Sequence, residues 1–137
     1  MMTRHLSGFF LLPLLALGIL AVAGCGPKTT QVKGKVLKNG QPLTLSSKGM
    51  VVLCFYPEND KEGKTQFPAE TKPDGTFTII GSERKGIPPG KYRVAVSVLD
   101  PYPGTDTLGG KYSVQNSTLV AEVKGTDDLV IDVKTGK

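Results

Sequence analysis

Residues 91–99 read KYRVAVSVL. Tyr92, Val94, Val96 and Val98 fall on one side of an extended chain, and Arg93, Ala95 and Ser97 on the other, because successive side chains of a strand point to opposite faces. Wound as a helix, the same residues would be spread around the circumference. Only a strand gathers the three valines and the tyrosine into one apolar face.

The period of two recurs outward from this segment in both directions. QVKGKVL places Val32, Gly34 and Val36 opposite Lys33 and Lys35, and TFTII places Phe77 and Ile79 opposite Thr76 and Thr78. TLVAEVK and DLVIDVK repeat the pattern with Leu119, Ala121 and Val123 and with Leu129, Ile131 and Val133. Each is expected to be a strand with one face in a core and one in water. MVVLCFYP differs, being apolar on both faces, and reads as a central strand whose outer face is also partly covered, with Cys54 acting as a small buried hydrophobe. Turn chemistry separates the runs: KNGQP, KPDGT, IPPGK, LGGKY and KGTDD. In KPDGTF, Asp-Gly is expected to supply the positive φ values of a tight hairpin. After the N-terminal segment no stretch carries a 3.6-residue apolar period. About seven short strands in roughly 100 residues predict an all-β, seven-stranded antiparallel β-sandwich.

The order of these motifs resembles a known family. VKGKVLKNGQPL, VVLCFYP, KPDGTFTI and GIPPGKYRVAV follow the pattern of carboxypeptidase-regulatory-like, transthyretin-like (prealbumin-like, Greek-key) sandwich domains. GGKYSVQNSTLVAEVKGTDDLVIDV is similar to the ending of small lipoproteins of this kind. The resemblance covers nearly all of residues 31–134 and rests on turns and strands, so it speaks to fold more than to function. It implies a domain over 31–137. IPPG fixes a rigid approach to the strand, and Tyr92 is expected to turn its ring inward with its hydroxyl bonded to loop backbone. The hydroxyisourate hydrolase branch of that fold needs histidines and a YRGS carboxyl end, whereas this chain ends VKTGK, so its activity does not carry over.

Upstream, MMTRHLSGFFLLPLLALGILAVAG is a short start with Arg4 and His5 followed by an uncharged apolar run, Gly8 to Gly24, interrupted by Pro13 and Gly18. This is the layout of an export signal, a helix over residues 1–24 that is cleaved, and it is short for a bilayer span. Val22, Ala23, Gly24 and Cys25 match the lipobox of bacterial lipoprotein signal peptides position by position. That resemblance implies a diacylglyceryl group on the Cys25 thiol, cleavage before it, and acylation of the new amino terminus. Two or three acyl chains hold a protein at a membrane where one exchanges freely. Residues 25–30 are then the lipidated cysteine and a polar tether. Gly26 is not the aspartate associated with inner-membrane retention, which favours the outer membrane.

Removal of the signal leaves about 113 residues, enough for one domain. Cys54 is then the remaining thiol, with no partner for an intrachain disulfide. The formal charge of +5 is spread over scattered lysines with no basic stripe, which argues against nucleic acid as a partner.

His5 is the one histidine of the chain and leaves with the signal, removing Ser-His-Asp and Cys-His catalysis and the usual zinc sites. SERK at Ser82–Lys85 and KTG at Lys134–Gly136 imitate the motifs of penicillin-recognising enzymes, but the intervening S-D-N is missing and SERK reads as a turn. Acidic residues fall in two loops. Glu58, Asp60 and Glu62 are interleaved with lysines, which opposes calcium. The second loop, with Asp100, Tyr102, Asp106 and Tyr112, is a long Pro/Gly-rich crossover of the kind that carries binding surfaces, and these four residues form the candidate ligand loop. The absence of tryptophan weighs against a sugar platform. The sequence thus predicts no catalytic residues, cofactor or metal. It points to an envelope lipoprotein held in the membrane by acyl chains on Cys25, with an envelope protein or polysaccharide as partner. The alternative is a carbohydrate- or metal-binding module using the 100–112 loop.

Overall fold

The computed structural model describes residues 24, 26–125 and 128–135. The segment expected to be an export signal, with Val22, Ala23 and Cys25 of the expected lipobox, lies outside them; Gly24 lies within. Eight strands account for the architecture: β1 (Val32–Lys38), β2 (Gln41–Pro42), β3 (Met50–Pro57), β4 (Phe67–Thr71), β5 (Thr76–Ile79), β6 (Gly90–Leu99), β7 (Val120–Val123) and β8 (Leu129–Val133). One 3-10 turn, Ser82–Arg84, is the helical element among the described residues, and none of them forms a helix long and apolar enough to cross a membrane.

The chain is all-β and forms one curled sheet, antiparallel at every pairing except one. The exception is β8, which runs parallel to β1 where antiparallel pairing was expected. Gly34 and Lys35 pair with both β5 and β8, and Leu37 and Lys38 with both β2 and β8, so β8 occupies one edge of β1 while β5 and β2 share the other. From there the sheet continues through β5, β4, β3 and β6 to β7.

The alternating faces fall as the sequence predicts. Phe55, Ile79, Val94 and Val133, from four different strands, are wholly buried in one core cluster that also takes Val32, Val36, Ala121 and Ile131. Each such side chain contributes about 1.5–3 kcal/mol. Tyr92 points inward, packs edge-on to Phe67 at 5.7 Å, and donates from its hydroxyl to the Pro88 carbonyl at 2.6 Å.

Two local expectations are revised. The β1–β2 turn is the tight one, with Asn39 at φ 53° and Gly40 at φ 78°, the mirror-image turn that Asn-Gly favours. At KPDGT only Gly75 has positive φ, 82°, and Asp74 instead accepts hydrogen bonds from the Thr76 N–H and hydroxyl. The loop is therefore longer than a two-residue turn.

Two strands are absent from the sequence reading: the two-residue β2, which lies within KNGQP, and β4. The first two residues of β4 pair with β3 (Phe67 with Phe55, Pro68 with Cys54) and its last three with β5 (Ala69, Glu70 and Thr71 with Ile79, Thr78 and Phe77). β4 is thus the joint between the β8-β1-β5 half and the β3-β6-β7 half. Pro68 fits there because the carbonyl opposite its missing N–H, that of Ile80, is taken by Gly86 N–H at 2.7 Å.

Candidate interaction surface

The two acidic loops do not converge. β3 pairs with β6 along its whole length, Met50 with Leu99 and Pro57 with Tyr92, so the Glu58–Glu62 loop leaves one end of the pair and the Asp100–Tyr112 loop the other. Eight residues of strand separate them by about 26 Å.

Within the second loop the four candidate residues have different surroundings. Asp100 accepts from the Ser46 N–H at 2.9 Å and from the Ser46 hydroxyl, and that hydroxyl bond before all else holds its carboxyl below the usual carboxylate range. Asp106 accepts three backbone N–H groups, from Val98 at 2.9 Å and from Leu108 and Gly110 at 3.0 Å. Tyr112 is buried; its hydroxyl accepts from Lys134 N–H at 2.8 Å and donates to the Lys134 carbonyl at 3.2 Å. Tyr102 is exposed, with its backbone N–H bonded to the Lys48 carbonyl.

The crossover also takes over an edge. β7 pairs with only Gly90–Arg93 of the ten-residue β6. Beyond that point Val94 N–H bonds Leu119 O, Val96 N–H bonds Tyr112 O, and Val98 N–H bonds the Asp106 carboxylate. The loop's polar groups are thereby engaged in closing the edge of β6, which a bare strand would leave open. Side chains of Asp100, Asp106 and Tyr112 act as clasps, and Tyr102 alone of the four is presented to solvent.

Cys54 is partly buried, with its thiol 3.7 Å from Gln66 Oε1. Burial pushes the thiol pKa up, the opposite of what a nucleophile requires. Tyr56 beside it is pushed up to about 12, first by burial and then by its contact with Cys54. Ser82 and Lys134, the ends of the imitated penicillin-type motif, lie at opposite ends of β1. Ser82 is beside the Thr30–Ile87 bridge, and Lys134 follows the residue paired with Lys38.

The feature that the sequence does not announce is an open groove of about 1320 Å³ on the solvent side of the sheet. Met50, Val52 and Val130 line it and are three of the large apolar side chains left exposed, at 43%, 45% and 54%. Lys33, Lys35 and Lys72 line the same groove. It opens where the β3–β4 ladder stops after Pro68. Past that point Thr71 Oγ1 donates to the Val51 carbonyl at 2.6 Å, a single side-chain bond across the joint. The available signal was MVVLCFYP itself. Its second apolar face is covered only toward the end of the strand, where Tyr56 is buried, and is open at Met50 and Val52.

Compared with protein-family models, with curated proteins and with solved structures, the chain gives no significant match.

Proposed function

We propose that the chain is a lipoprotein of the bacterial cell envelope, anchored through acyl chains on Cys25, whose β domain works by contact rather than by catalysis. The observation that carries this reading is the continuous passage from apolar run to Val22-Ala23-Gly24-Cys25 to a short polar tether. The tether feeds a domain whose first contact comes at once: Thr30 and Ile87 exchange backbone bonds of 3.1 and 2.9 Å. Gly26, in place of the aspartate associated with inner-membrane retention, favours the outer membrane. The domain itself we read as a transthyretin-like sandwich. Support comes from β4, which lets the β8-β1-β5 half fold against the β3-β6-β7 half over one shared core.

A contact role is favoured over chemistry because Asp100, Asp106 and Tyr112 of the crossover are engaged with the fold and burial pushes the Cys54 thiol pKa up. The carbohydrate or metal reading of the 100–112 loop has only Tyr102 free to serve it. Envelope protein is the favoured class of partner over polysaccharide, since the exposed apolar groove is aliphatic.

Intact mass and membrane partition of the expressed chain, beside Cys25→Ala, test the anchor. The expected result is a mass of residues 25–137 plus acyl chains, with the variant released to the soluble fraction. A wild type cleaved yet unacylated and soluble would overturn it.

A further inference from the structure

The groove is a built surface with two unlike walls. On one side β1 presents Lys33 and Lys35, which are exposed, two residues apart and therefore about 6.7 Å apart along the strand. Strand register extends this wall. Lys35 faces Val130 of β8 and Thr76 of β5, and Lys72 N–H bonds the Thr76 carbonyl, bringing a third lysine into the same row. The other wall is β3, with Met50 and Val52 exposed and Cys54 half-covered.

Two carboxylates line the groove, Glu70 and Asp128. Glu70 is engaged by Arg84 at 2.8 Å, whereas none of the three lysines has an ion-pair partner among the described residues. The groove thus joins three lysines, against two lining carboxylates of which Glu70 is already paired, to uncovered aliphatic surface.

We propose that this groove docks an extended polypeptide segment of a partner protein with carboxylates at alternate positions and aliphatic side chains between them. In an extended chain, side chains two apart lie on one side at the same 6.7 Å or so, matching Lys33 and Lys35, while the intervening ones face β3. A peptide fits better than a glycan because the apolar wall is valine and methionine, with no exposed aromatic ring on which a sugar would stack; Tyr56, which lines the groove, is buried. This inference rests on the reading of the domain as an interaction module and is independent of the lipid anchor.

The test uses the full chain in detergent and short fluorescent peptides alternating Glu with Val, Glu with Ser, or Lys with Val, read by anisotropy. Glu/Val is expected to bind about ten-fold more tightly than either of the others, with affinity falling as salt rises. The Lys33→Glu, Lys35→Glu double variant is expected to lose at least about ten-fold for Glu/Val and to gain for Lys/Val. The same reversals at Lys38 and Lys91, exposed and outside the groove, should leave affinity within about two-fold. Equal binding of Glu/Ser, an equal effect of the Lys38 and Lys91 reversals, or displacement by alginate at matched charge would overturn the proposal by reducing it to general attraction. The mass of the same preparation separates the two readings. An acylated chain that does not select Glu/Val refutes the groove alone, and an unacylated chain that does refutes the anchor alone.

Discussion

The carboxylate of Asp106 meets three backbone donors from both β6 and its own loop, so its removal leaves Val98, Leu108 and Gly110 N–H groups without their acceptor. Asp106→Ala is expected to cost about 2–3 kcal/mol in chemical denaturation, and Asp106→Asn less, since an amide oxygen still accepts. Four other aspartates respond to acid. Asp60 is held below its ordinary value chiefly by Thr65 N–H, Asp74 by the Thr76 hydroxyl, Asp100 by the Ser46 hydroxyl and Asp132 by Lys134. Folded values below the unfolded one, about 3.9, mean that each contributes stability above about pH 4. That contribution is lost as pH falls through the lowered values. Thermal melts from neutral pH downward should hold steady and then drop below about pH 4, with a shallower drop in Asp74→Asn. Some of this residue chemistry is legible in advance. Tyr92 after a rigid IPPG could be placed ring-in and hydroxyl-to-backbone from sequence alone. Asp106 could not, because its β6 donor, Val98 N–H, is reached only through the path of a loop that no local pattern encodes.

At the scale of elements, alternation identifies β1, β5, β6, β7 and β8 and assigns their inner faces, because burial of one face is a local property of the sequence, while β3 is legible only as a run apolar on both faces. Alternation misses β4, where FPAET carries a proline and mixes polar with apolar residues. Pro68 is tolerated because the Ile80 carbonyl opposite it is taken by Gly86 N–H, a fact about neighbours that the strand's own residues do not state. Met50 and Val52 lie beyond the end of the β3–β4 ladder and are exposed, so that part of the second apolar face of β3 is groove wall. Gly34 shows how tightly the opposite, inner face is set. A methyl group there would overlap the Phe77 ring and lie 2.5 Å from the Leu129 carbonyl, which belongs to the parallel neighbour. Gly34→Ala is therefore expected to lower stability by about 1–3 kcal/mol. A denaturant midpoint equal to wild type would show that β8 and Phe77 can give way.

For the whole molecule, the parallel return of β8 onto β1 is the feature furthest from the sequence, since alternation tells a strand which face to bury and not which strand to join. The two ends of the domain are set instead by the Thr30–Ile87 bridge and the length of β3. Thr30, the Ile87 loop and the Glu58–Glu62 loop share one end, and the Tyr102 loop lies at the other, about 26 Å away along β3. With Thr30 pinned, the free tether is residues 26–29, at most about 14 Å of chain. If Cys25 is acylated, a tether this short relative to the domain holds the Glu58–Glu62 end toward the bilayer and turns Tyr102 away. A fluorophore at Lys61→Cys or at Tyr102→Cys, each in a Cys54→Ser background and reconstituted into vesicles with acceptor-labelled lipid, reads this directly. Transfer from position 61 should exceed that from position 102 because the two differ in height by most of the strand length. Equal transfer would mean that the domain tumbles on its tether despite the Thr30–Ile87 bridge. The groove along the side of the sheet would then face the membrane as often as the envelope.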